Sequence, residues 1–99
     1  MESIIAQDKL KEIIKPILRK YNAEKALLFG SYARGDATEK SDIDLVIFGG
    51  KRFNPTDIFA VAEELYIKTL KPVDVYEISE INKDSSIYHS IMKEGVGIE

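Results

Sequence analysis

Apolar residues recur at three- and four-residue steps through Leu10, Ile13, Ile14, Ile17, Leu18 and Tyr21. This period predicts a helix over residues 3–21 with one buried stripe. Ser3 or Asp8 is placed to cap it. Pro16 interrupts the pattern and predicts either a kink or a start late enough to put it near the first turn. Asn22 suits a left-handed stop. The pattern then shortens. Ala26-Leu27-Leu28-Phe29 predicts a strand over 25–29, and Leu45-Val46-Ile47-Phe48 a second one ended by Gly49-Gly50. The eleven residues from Ser31 to Ser41 are short for a parallel crossover, so these strands are expected to run antiparallel.

Asn54-Pro55-Thr56-Asp57 reads as a helix start, with Asn at the cap and Pro at the first helical position. Ile58, Val61, Ala62, Leu65, Tyr66 and Leu70 make its expected apolar face, and Pro72 blocks continuation. A helix of that length suits a crossover, so the strand over 72–78 should lie parallel to the second. Residues 79–94 turn helical, with Ser79 or Asp84 as cap, Ile87, Ile91 and Met92 on one face, and Gly95 as the stop. Val96-Gly97-Ile98 either closes the sheet as a short strand or docks as a tail. The expected fold class is α/β (α+β): one domain over 1–99, with a small mixed sheet of three main strands and about four helices.

Composition narrows the function. Hydrophobic content of 44% in 99 residues supports a modest core and leaves room for a stabilising partner. A net charge of −3 argues against direct nucleic-acid binding, which needs a basic face. The chain has no cysteine, hence no disulfide, thiol nucleophile or Cys-ligated zinc. No apolar run approaches the ~20 residues of a membrane span, and a cytoplasmic location is expected.

The chemistry concentrates in Gly30-Ser31-Tyr32-Ala33-Arg34-Gly35 and Ser41-Asp42-Ile43-Asp44-Leu45. Strand alternation puts Asp42 and Asp44 on one face and Ile43 and Leu45 on the other. Two carboxylates ~5–6 Å apart repel by about 3 kcal/mol at an effective dielectric of ~20. A hard divalent cation such as Mg²⁺ would offset that repulsion. Gly30 permits close backbone approach, and the short helix opened by Ser31 favours an anion. On the third strand Asp74 and Tyr76 face away from Val73 and Val75, so Asp74 can join the other two acids. Lys51 and Arg52 are either solvated charges or lie near the phosphates or a partner, and the lone histidine, His89, has no triad partners.

A Gly-Ser pair, ten residues and then Asp-x-Asp resembles the DNA polymerase β-like nucleotidyltransferase superfamily. The fuller string resembles its minimal nucleotidyltransferase (MNT) branch over nearly the whole chain. The resemblance implies a nucleotidyltransferase fold, with Asp42, Asp44 and Asp74 as catalytic, metal-holding carboxylates for two Mg²⁺ ions. It places Gly30 and Ser31 on the nucleotide. Arg34 either adds charge there or braces the loop, and Ser41 binds nucleotide or orients the adjacent turn. MNT proteins commonly pair with HEPN-domain toxins as antitoxins, and some transfer AMP from ATP to a toxin tyrosine. The implied partners are ATP or another NTP and a HEPN toxin, in a hetero-oligomer. The alternative is a module that neutralises its partner by contact, or binds nucleotide, without catalysis. The family often ends in an aromatic residue, whereas this chain ends Ile98-Glu99.

Overall fold

The computed structural model describes residues 4–98, so the suggested Ser3 cap lies outside the described residues. Helix α1 spans Gln7–Lys20 and starts after Ala6 without a side-chain cap. Asp8 sits in its first turn, and Arg19 and Lys20 in its last, where each charge suits the helix dipole. Pro16 is well inside the helix, which rules out the late start. It is exposed, so water can take the Glu12 carbonyl that a proline nitrogen cannot bond. Leu10, Ile14, Ile17 and Leu18 are buried, and Asn22 is left-handed with φ 62°.

Four strands form one sheet in the order β3-β2-β1-β4: β1 Lys25–Phe29, β2 Ile43–Phe48, β3 Val73–Glu77 and β4 Val96–Ile98. Strands β1 and β2 are antiparallel, and β2 and β3 parallel. The expected three strands become four because β4 covers the free edge of β1 and fully buries Ile98. Strand alternation sends Ala26, Leu28, Ile43, Leu45 and Ile47 into the main core with residues of α1 and of helix α3 (Ile58–Thr69). Phe29 and Val46 face the other way, against Ile91 of helix α4 (Ser86–Glu94).

Asn54 caps the turn over Pro55–Asp57 as expected, its Oδ1 accepting from Thr56 N at 3.1 Å. Of the apolar face assigned to α3, Val61 and Leu65 are buried and Ala62 half-buried. Tyr66 and Leu70 are exposed instead, at 51% and 69%. They lie roughly 120° and 160° round the helix from the Val61–Leu65 line, too far to reach the sheet. Leu70 ends the helix at φ 58°.

Strand β3 stops at Glu77, and Ile78–Glu80 forms a tight turn. Helix α4 therefore begins later than expected. Its cap is Ser85, whose Oγ accepts from Tyr88 N at 3.2 Å, so neither Ser79 nor Asp84 caps it. Ile91 is buried, but Ile87 and Met92 are exposed, since this helix packs along a narrow line on β1. Gly95 is not left-handed; it is needed because a Cβ there would press on the Ile91 carbonyl and the Leu27 side chain. Among the described residues, no helix is long and apolar enough to cross a membrane.

Candidate active site

Strand β1 delivers the chain into helix α2, Ser31–Arg34, through Gly30. Gly30 has φ 72° and ψ −153°, a conformation closed to L side chains. A Cβ there would also collide with the Asp44 carboxylate. The glycine thus lets the backbone lie directly against the acid. The first bonds of α2 run from Ala33 and Arg34 N to Gly30 O, both 3.1 Å. The N–H groups of Ser31 and Tyr32 precede them and are available to an anion. Gln7 holds the turn from behind, its Nε2 donating to the carbonyls of Tyr32 (2.8 Å) and Ala33 (3.2 Å). Sequence reasoning missed Gln7, because this contact joins residues 25 apart and leaves no local signature.

The three acids reach the site differently. Asp42 is exposed and lies just ahead of β2; Asp44 is half-buried within it; Asp74 is exposed on β3. Asp44 stands in register with Phe29 on one side and Asp74 on the other. Burial pushes the Asp44 carboxyl up to about 6, helped by the charges of Asp74 and Asp42 and a hydrogen bond with Asp74; Arg34 opposes this. Among the described residues, no three acidic, His or Cys side chains stand together as a ready metal cage. The donor set still fits a hard divalent cation in kind: all its atoms are carboxylate oxygens, and a cation would relieve the like-charge crowding at Asp44.

Around the acids, several side chains hold the loop. Arg34 pairs with Asp36 at 3.2 Å and with Glu94 at 3.7 Å, tying α2 to α4. Ser41 Oγ accepts from Thr38 N at 2.8 Å, within the turn that leads to Asp42. Lys71, only 3% exposed, donates from Nζ to the Glu39 carbonyl at 3.2 Å and secures the same loop. Its position in a turn before Pro72 gave no hint of burial. Tyr76 shares the face of Asp44 and Asp74, and its ring centroid lies 6.0 Å from that of Phe29. Burial and the charges of Asp74 and Asp44 raise its phenol above the ordinary range.

Two sets of flagged residues lie elsewhere. Lys51 and Arg52 are in an exposed turn beyond the far end of β2, lining a cleft with Arg19 and Glu24. The length of β2 separates them from Asp44 and from the turn at Gly30-Ser31, so they do not lie near that end of the sheet. His89 is exposed on α4, edge-on to Tyr88.

The profile of the family described as Polymerase beta, Nucleotidyltransferase matches residues 12–98. "Putative protein adenylyltransferase MJ0435" of Methanocaldococcus jannaschii is 36% identical over 75 residues, spanning 76% of this chain and 81% of that protein. A crystal structure described as "the toxin-antitoxin with AMP-PNP" superposes with TM-score 0.77 at 20% identity, covering 90% of this chain and 72% of the other. A complex described as "tri-AMPylated Shewanella oneidensis HEPN toxin in complex with MNT antitoxin" superposes with TM-score 0.68 at 18% identity, covering 90% and 68%. At these identities the two structures establish a shared fold.

Proposed function

The chain belongs to the polymerase β nucleotidyltransferase family, and from that premise we propose that it moves AMP from ATP to a tyrosine hydroxyl of a HEPN-type toxin and thereby acts as its antitoxin. One observation carries the reading: Asp44 and Asp74 share a register on adjacent strands while Gly30 brings the phosphate-facing backbone against Asp44. Asp42, Asp44 and Asp74 would hold Mg²⁺, which when bound supplies charge neutralisation for the polyphosphate.

The protein's own groups do the rest. The N–H groups of Ser31 and Tyr32 and the Ser31 hydroxyl bind the β- and γ-phosphates. Gln7 and Arg34 keep that turn in place through their bonds to α2 carbonyls and to Asp36 and Glu94. Ser41 and Lys71 brace the loop that presents Asp42. Asp74, on the edge strand β3, takes the acceptor proton on a carboxylate oxygen. The hydroxyl oxygen bonds to the α-phosphorus as the bond to pyrophosphate breaks. Similarity to "Putative protein adenylyltransferase MJ0435" of M. jannaschii and to the fold of complexes described as holding AMP-PNP or a HEPN toxin supports this assignment.

Intact-mass spectrometry of the toxin after incubation with the chain, ATP and Mg²⁺ tests it. AMP-sized increments that vanish with Asp42→Asn/Asp44→Asn are expected. Their absence in a stable complex would leave the second reading, neutralisation by contact. That reading has its own support: Phe59, Tyr66, Ile67 and Leu70 of α3 and its cap are 51–75% exposed, a broad apolar stripe suited to a partner.

A further inference from the structure

The antiparallel pair β1–β2 has two ends, and the acids stand at only one of them. There Phe29 lies opposite Asp44; at the other end Lys25 lies opposite Phe48. Strands rise about 3.4 Å per residue, so the four steps between these pairs put roughly 14 Å between the ends. At the far end Glu24 N donates to Phe48 O at 2.9 Å, which brings the segment between α1 and β1 beside the turn that follows β2. Between the two segments opens a cleft of about 780 Å³, a size that suits a mononucleotide. Arg19, Asn22 and Glu24 form one wall, and Gly50, Lys51 and Arg52 the other.

The charge of this cleft runs against that of the chain. The net charge is −3, yet three cations and one carboxylate gather here, all of them exposed. Among the described residues, neither these cations nor Glu24 has an ion-pair partner, whereas Lys20 next door is paired with Glu64 at 3.0 Å. The end of α1 adds little opposing charge, because its last carbonyls are occupied. Those of Ile17, Leu18 and Arg19 accept from Tyr21, Ala23 and Asn22 N at 3.2, 3.0 and 3.2 Å. Asn22 and Gly50 turn the two walls with φ of 62° and 76°. A Cβ on Gly50 would collide with the Glu24 carboxyl, so this glycine admits the carboxylate to the cleft.

The two signs divide a ligand between them. The cations suit phosphate oxygens. The carboxylate repels phosphate and accepts from donors, as a ribose diol supplies them. We infer that the cleft is a second nucleotide site, taking a free ribonucleoside 5′-phosphate with its phosphate on Arg19, Lys51 and Arg52 and its ribose hydroxyls on Glu24. The inference does not rest on adenylyl transfer and uses no residue of the phosphate grip or the acid row. Helix α1 packs on the face of the sheet opposite Asp44, so the sheet as well as the length of β2 separates the two sites.

AMP titrated into the isotope-labelled full chain in EDTA, followed by amide shifts in NMR, tests it. EDTA withholds the divalent cation that suits the acid row. Shifts at residues 22–24 and 50–52 are expected, saturating before any at Gly30 and Ser31. Lys51→Glu/Arg52→Glu lies in an exposed turn and should weaken AMP about tenfold with the circular dichroism unchanged. Glu24→Gln should weaken AMP about fivefold and tighten inorganic phosphate. The parent should bind 2′,3′-dideoxyadenosine monophosphate as weakly as Glu24→Gln binds AMP. Tighter AMP binding by Glu24→Gln would overturn the ribose assignment. No shifts at the cleft, shifts at Gly30 and Ser31 alone, or undiminished AMP affinity in the charge reversal would overturn the site. A single-stranded RNA hexamer that binds there tenfold more tightly than AMP would overturn the free nucleotide as its ligand.

Discussion

Asp44 carries the sharpest conflict between stability and chemistry. Its carboxyl titrates near 3.8 when unfolded and about 6 in the fold, because burial and two neighbouring acids disfavour its charge. Below the unfolded value it is protonated in both states and costs nothing. As pH rises from there to about 6, folding stability falls, and above that the full cost remains. After solvent screening the cost is on the order of 1–2 kcal/mol. Asp44→Asn should therefore melt several degrees higher than the parent at pH 7.5 and no differently at pH 3.5. Equal melting at pH 7.5 would mean that the crowding is relaxed in solution. The Asp-x-Asp spacing was legible in the sequence, and so was the need for something to offset its repulsion. The contact of Asp44 with the Gly30 backbone was not, since it depends on the antiparallel pairing of β1 with β2.

At the level of elements, the ends of β3 and α3 are held in ways that local pattern does not announce. Glu77 ends β3 nearly buried and accepts from Gly49 N at 3.0 Å, from Ser79 N at 2.9 Å and from the Ser79 hydroxyl. Burial pushes its carboxyl up, but these hydrogen bonds outweigh burial and hold it below the ordinary range. A depressed pKa contributes stability at neutral pH that is lost as pH falls through it. Glu77→Gln should cost about 1–2 kcal/mol at pH 7, by urea denaturation, and progressively less below pH 4. Leu70 shows the reverse. It ends α3 in the left-handed region that glycine favours, and it stands 69% exposed. Leu70→Gly should raise the urea midpoint, by about 1 kcal/mol of stability. Unchanged stability would mean that the leucine side chain gains as much in the folded state as the strain removes. The period of α3 announced the helix correctly, while the cap read at Asn54 serves the turn over Pro55–Asp57 and α3 itself starts at Ile58 without a side-chain cap. It overextended the apolar face, because residues four apart drift around the axis and a sheet contacts only a narrow sector.

For the molecule as a whole, the sequence by itself determined the element types, the antiparallel then parallel strand order, the glycine at the turn after β1 and the candidate acids. These follow from information a chain carries locally: hydrophobic period, turn chemistry, loop length and the one-letter spacing of carboxylates. The tertiary structure decided what depends on register and on contacts distant in sequence. It added β4 as the fourth strand, because only the assembled sheet presents a bare edge for Ile98 to bury against. It aligned Asp74 with Asp44, brought Gln7 behind α2, buried Lys71 under the Asp42 loop and moved Lys51 and Arg52 to the far end of β2. It also left the stripe on α3 open to solvent. A one-residue slip of β3 would turn Asp74 to the opposite face while preserving every local pattern, and that is why the site could be suspected from the sequence but assembled only by the fold.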